Sequence, residues 1–303
     1  MNLNSLYTYS LKPLRGSFLL EGVKAEVLAS RNELCRFDDT RIFMSFALFT
    51  VFCLLAALLL FVIGGYEAGF HTVNAQAAYL SEDFLQITTF MGDTVVALCL
   101  MLFFARRNPS LLFIILLAAV YGTLLTHGMK TYFDMSRPPA VLSSDEFIQI
   151  GQAFKRNSFP SGHSSTVFIM VSCLYYFATQ TSTRVMLVLF GAWVAISRVL
   201  VGVHWPIDVL VGSGVGVIAA ALAIYSAKRW SWGFSVGVHV FVLSLLIVAA
   251  IMLFSHSGGY PNVSLFAKLC ATASLTFFIS DYFFSPYVVR ETGTGAPAPR
   301  SDV

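Results

Sequence analysis

The sequence predicts an all-α, polytopic membrane helix bundle, and three observations carry that reading. Hydrophobic residues make up 57% of the 303 positions and charged residues only 12%, against about 45–50% and about 25% in ordinary soluble domains. The apolar residues are gathered into runs of bilayer-spanning length, since a hydrocarbon core of about 30 Å calls for about 20 predominantly apolar residues per helix. Several of the ionisable residues that interrupt or end those runs fall at one face of the membrane.

Ile42 to Gly65 is the first run. The second, Phe84 to Phe104, is interrupted by Asp93, and the third goes from Leu111 to Met129 and stops at Lys130. The fourth begins near His163 and ends by Thr181. The fifth, Val185 to Val203, carries Arg198 near its far end, and the sixth starts at Pro206 and ends before Lys228-Arg229. The uncharged region from Trp230 to Ala267 is split by Ser257-Gly258-Gly259-Tyr260-Pro261-Asn262, a turn signal, which leaves two more spans over about 233–254 and 264–282. The expected layout is a cytoplasmic N-terminal segment (1–41), a six-helix core (42–228), an extra transmembrane hairpin (229–285) and a disordered tail (286–303). Segment 1–41 mixes six Lys/Arg with five Asp/Glu and does not read as a signal peptide. Within it, Gly22 to Cys35 fits a surface helix or a flexible tail.

Eight spans bring both termini to one side. Arg106-Arg107, Arg184 and Lys228-Arg229 mark that side as cytoplasmic, because the 66–83 and 255–263 loops contain no Lys or Arg. Lys130, Arg137, Lys155, Arg156 and Arg198 fall on the opposite side, against the rule. Lys130, Arg137 and Arg198 are accounted for if they serve a phosphate. For a prokaryotic source this places a multi-pass protein in the inner membrane with its site facing the periplasm.

The net charge of +3 is too weak and scattered for nucleic acid, so membrane lipids are the expected partners; oligomeric state is not readable. Four of the five cysteines lie in apolar runs and none has metal-ligand or C-x-x-C spacing, so neither disulfides, zinc nor any other cofactor is expected.

Lys130 closes the third span, His163 opens the fourth, Arg198 nears the end of the fifth and His204 precedes the sixth, all at one face. Cations around histidines fit phosphate. Lys130, Arg137 and Arg198 can spread charge over nonbridging oxygens, with arginine's planar fork suited to bidentate contact. Pro160-Ser161-Gly162-His163 turns into a helix whose first amides offer an anion cradle that Gly162 leaves open. If Pro206 is the first helical residue of the sixth span, Asp208 falls in its first turn. It can then hold one ring nitrogen of His204 and leave the other free to attack phosphorus. His163 then protonates the leaving oxygen and activates the water that hydrolyses the phosphohistidine.

The stretches KTYFDMSRP, PSGH and SRVLVGVHWPID resemble the three signature motifs of the type 2 phosphatidic acid phosphatase superfamily. The resemblance covers about residues 42–228. It implies a metal-independent lipid phosphatase with an outward-facing site, hydrolysing a phospholipid or polyprenyl phosphate such as undecaprenyl diphosphate, phosphatidylglycerophosphate or phosphatidic acid. It gives His204, His163 and Asp208 the catalytic roles above, with Lys130, Arg137, Ser161, Gly162 and Arg198 on the phosphate. Two rivals stay open: a lipid phosphotransferase with lipid A as acceptor, and a non-enzymatic lipid-binding or transport protein.

Other features read as structure. Ser161 can serve as no more than a helix cap and a backbone amide. Asp93 is expected to have a buried structural partner, Gly212, Gly214 and Gly216 to mark close helix packing, and His127 and His239 to be structural. Ser143 with Glu146 forms a capping box ahead of Phe147, Ile148, Ile150 and Phe154. A short interfacial helix is expected there, as a gate for lipid entry or a plain connector.

Overall fold

The computed structural model describes residues 16–36 and 38–284, and every regular element among them is helical. The expected tail at 286–303 lies outside the described residues. Of the two readings for the N-terminal stretch the helix holds: α1 (Gly16–Arg36) buries Val23, Val27 and Leu34 in the main core.

Five segments among the described residues are long and apolar enough to cross a membrane. They are α2 (Thr40–Gly64), α6 (Pro109–Phe133) continued by the short α7 (Pro138–Val141), α9 (Thr181–Leu200), α10 (Pro206–Arg229), and Pro261–Phe284, which contains α12 (Ser264–Ile279). The second expected span is broken. After the short α3 (Phe70–Asn74), α4 (Glu82–Phe90) and α5 (Thr94–Met101) meet at a 65° bend. Asp93 is the cause: its side chain accepts from Val95 N at 2.8 Å and caps a new helix where a straight span would continue. Two other expected spans are short. α8 (Gly162–Phe177) has 16 residues and α11 (Val236–Met252) has 17, so they rise about 24 and 26 Å against a core of about 30 Å.

α10 is the central helix, packed against α2, α6 and α8; 78% of its most apolar stretch is buried, against 17% for α2. The glycines explain the closeness of α8. A Cβ at Gly212 would lie 2.5 Å from the Ser161 carbonyl oxygen and one at Gly216 2.4 Å from that of Ser165, so the two backbones touch. Gly214 faces α2 at ordinary contact distance, 3.7 Å from Cys53.

The helix expected over 143–154 is absent: the chain from 142 to 161 is turns and extended backbone. Glu146 does accept from the Ser143 amide at 2.7 Å and hydroxyl at 2.8 Å, but the turn is not continued. The backbone finds other partners. Asn74 accepts from Ile148 N and donates to Ile148 O, both at 2.8 Å, and Ile150 N donates to Val201 O at 3.1 Å. Tertiary hydrogen bonds thus replace the helical ladder, while Phe147 and Ile150 are still buried.

The hairpin α11–α12 packs on α5, on the outer side of the broken span. His239 bonds Tyr282 at 3.0 Å within this region, in line with a structural role.

Candidate active site

The ends of α6, α8, α9 and α10, with the start of α7, bring together the eight residues singled out in the sequence. Pro206 is the first residue of α10 and Asp208 lies in its first turn, closing the N-terminus by accepting from Trp205 N at 3.0 Å. The same carboxylate oxygen is 3.1 Å from His204 Nδ1, and His204 and Asp208 are 1% and 0% exposed.

Asp208 has further donors that sequence reasoning missed. Ser158 Oγ donates to its Oδ2 and Tyr66 Oη to its Oδ1. These donors satisfy the buried carboxylate and hold it in one orientation. Trp205, also missed, is 1% exposed, stacks edge-on to Phe70 at 4.9 Å and donates its indole N–H to Ser136 O at 2.9 Å. It therefore fixes the segment that holds His204. Burial drives the His204 pKa well below its ordinary 6.5, and the charges of Arg137, Arg198 and Lys130 push the same way. Both effects favour the neutral imidazole.

Ser161 caps α8: its hydroxyl accepts from Ser164 N at 3.4 Å and Ser164 Oγ at 2.9 Å, and its own amide donates to Asp208 O at 3.0 Å. The cap therefore ties the start of α8 to the start of α10. Gly162 has open space where a Cβ would stand. With Lys130 and His163, it borders a cavity of about 220 Å³ between α5, α6 and α8, otherwise lined by residues such as Ala97, Ile115 and Ile169.

The cations are held by neutral oxygens. Lys130 Nζ donates to Asn157 O at 2.6 Å. Arg137 donates to Arg156 O at 2.9 Å, Val203 O at 3.3 Å and Asn157 O at 3.4 Å. Arg198 is 2% exposed and donates from Nη1 to Thr89 Oγ1 at 2.5 Å and Tyr260 Oη at 2.7 Å. Two buried atoms here, Arg198 Nε and His163 Nε2, have no hydrogen-bond partner among the described residues. An unsatisfied buried polar group costs about 1–3 kcal/mol, so such a pair marks where a polar ligand would be held. No group of three or more His, Cys, Asp or Glu stands together as a metal site among the described residues.

Asp93 has its partner in the added hairpin: its Oδ2 lies 3.0 Å from His256 Nε2. His127 borders the cavity beside Lys130.

Residues 110–232 match the family model of the PAP2 superfamily. That match supports membership of the superfamily. The PAP2 match takes in α6 to α10, and with them Lys130, Arg137, Ser161, His163, Arg198, His204 and Asp208, but not Tyr66, Thr89 or the α11–α12 hairpin. A bacitracin transport permease protein, BcrC, of Bacillus licheniformis is 34% identical over 25% of this chain and 36% of its own length. A lipid A 1-phosphatase of Rhizobium etli is 28% identical over 43% of this chain and 65% of its own length. Both alignments thus span less than two thirds of the relative. A crystal structure of Aquifex aeolicus LpxE is similar at 26% identity and a TM-score of 0.47, covering 52% of this chain and 92% of that one.

Proposed function

We propose that this protein is a metal-independent membrane lipid phosphatase that works through a phosphohistidine at His204. The observation that carries the reading is the pairing, at one site, of a buried couple, His204 Nδ1 with Asp208, and two buried atoms, Arg198 Nε and His163 Nε2, that have no hydrogen-bond partner among the described residues. The PAP2 match and the likeness to a lipid A 1-phosphatase support a lipid phosphate or diphosphate as the substrate class.

Asp208 accepts the Nδ1 proton of His204 and leaves Nε2 with its lone pair. Nε2 attacks phosphorus, the bond to the lipid oxygen breaks, and His163 delivers a proton to that oxygen. His163 then takes a proton from water, whose oxygen displaces His204 and releases inorganic phosphate. Arg198, Arg137 and Lys130 balance charge on the nonbridging oxygens throughout, and the amides after Ser161 add a cradle. With three cations supplied by side chains, no Mg²⁺ is required for charge balance.

The test is phosphate release by purified protein from undecaprenyl diphosphate, phosphatidylglycerophosphate, phosphatidic acid and lipid A, with and without EDTA. Release from at least one, undiminished by EDTA and inhibited by orthovanadate, is expected. Release that stops in EDTA and returns with Mg²⁺ would overturn the metal-independent route.

The basic loops at Arg106-Arg107, Arg184 and Lys228-Arg229, opposite the site, support an inner-membrane protein with a periplasmic active site. A single cysteine in the 66–83 loop of a cysteine-free variant should react with an impermeant thiol reagent in intact spheroplasts, and one near Arg184 only after permeabilisation. The reverse pattern would turn the site to the cytoplasm.

A further inference from the structure

We propose that the loop joining α11 to α12 is a wall of the phosphate site and that its Tyr260 is a positioning residue for Arg198. The proposal rests on the phosphatase reading and adds to it a part of the chain that lies outside the PAP2 match.

The guanidinium of Arg198 is a rigid planar fork, so fixing one arm fixes the direction of the others. Its Nη1 donates to Tyr260 Oη at 2.7 Å and Thr89 Oγ1 at 2.5 Å, and Nε is left buried without a partner among the described residues. Neither acceptor lies within residues 110–232, which contain Arg198 itself. Both acceptors are neutral hydroxyls. A carboxylate in their place would orient the fork but cancel the charge a phosphate needs, whereas hydroxyls orient it and leave the charge intact.

The loop is fastened so that Tyr260 cannot drift. Asn262 donates from its amide to Gln86 Oε1 at 3.0 Å and from its side chain to Asp83 Oδ1 at 2.6 Å, and His256 lies 3.0 Å from Asp93. The Tyr260 ring is seated on Gly151, where a Cβ would come within 2.5 Å of it. The three polar fastenings, though not the Gly151 contact, are made to the broken span, whose Gly92 abuts His163: a Cβ there would lie 3.1 Å from that of His163. The bend at Asp93 and the hairpin loop thus form one collar reaching from Arg198 to His163.

Tyr260→Phe keeps the ring and removes the hydroxyl. Against the best lipid substrate, kcat/KM should fall about tenfold, equivalent to about 1.4 kcal/mol, with an equal rise in the orthovanadate concentration needed for inhibition. In an Arg198→Lys background, where there is no fork to orient, adding Tyr260→Phe should change kcat/KM less than about twofold. Equal losses in both backgrounds would mean Tyr260 only supports the fold, and would overturn the proposal. An unchanged Tyr260→Phe enzyme would overturn it too while leaving the phosphatase reading standing. Wild-type protein that neither releases phosphate nor is stabilised by orthovanadate would remove the phosphatase reading instead. Should Tyr260→Phe fail to fold, Thr89→Val removes the other acceptor and carries the same comparison, with the same coupling expected and equal losses overturning the idea.

Discussion

The two halves of the site differ in how their polar groups are satisfied. Around His204, the Asp208 carboxylate alone collects Tyr66, Ser158, the Trp205 amide and the imidazole. Around His163 and Arg198, two buried nitrogens stand without partners among the described residues. Unmatched groups are costly in an interior, so the imbalance separates two duties. The first half is finished before substrate arrives and holds the proposed nucleophile in one orientation. The second is completed only by what binds, which makes it the place where a phosphate and its leaving oxygen are recognised.

The sharpest way to break this division is to remove each histidine. His204→Ala should lower turnover by at least about 10³-fold and abolish acid-labile, base-stable label on the protein. His163→Ala should cost about 10²–10⁴-fold on lipid substrates and less on substrates with good leaving groups, so that labelled protein accumulates. Label of normal intensity in His204→Ala would sink the assignment.

Thinning the donor shell of Asp208 should have a smaller effect. Ser158→Ala and Tyr66→Phe each remove one hydrogen bond to a charged acceptor, worth about 1.5–3 kcal/mol, and so about 10- to 100-fold in kcat/KM. Orthovanadate affinity should change far less, since the phosphate contacts sit in the other half. If vanadate affinity falls as steeply as kcat/KM, the two halves are not separate in function.

The smallest effect concerns pH. The His204 pKa lies below 6.5, through burial first and the nearby cations second, so its reactive neutral form persists as pH falls through 6.5 and the acid limb it contributes to kcat/KM lies lower. Removing one of those cations lets the proton bind more readily and moves the limb upward. Arg137→Gln, compared with wild type on one substrate so that the substrate's own titration cancels, should shift the limb to higher pH. An unmoved or lowered limb would contradict the electrostatic account.

Much of the catalytic face was legible in the sequence because its members sit beside signals that act locally. Pro206 at the first helical position and Asp208 two residues later follow from helix-capping rules, as do Ser161 and the start of α8. Lys130, Arg198 and the two histidines were placed on one face by span length alone. Partners from distant segments were not legible: Tyr66 is 142 residues from Asp208 and Tyr260 is 62 from Arg198, and a tyrosine past the end of an apolar run reads as an interfacial anchor. The expected helix over 143–154 failed for a related reason, because Asn74, a polar side chain at the end of the distant α3, captured the Ile148 backbone. The broken span showed its sign in Asp93, but a lone acid does not reveal whether it bends a helix or merely finds a partner.

The backbone contact between α8 and α10 sets a gauge for the chemistry. His163 rides on the first turn of α8 and His204 stands just before the first turn of α10. The two helices are drawn together at Gly212 and Gly216 until no side-chain atom fits between them. The span available between His163 and His204, the proposed acid and nucleophile, is therefore set by the girth of two bare polypeptide backbones. A single methyl group at either glycine would act as a shim, prising the two histidines apart without changing the chemistry of either side chain.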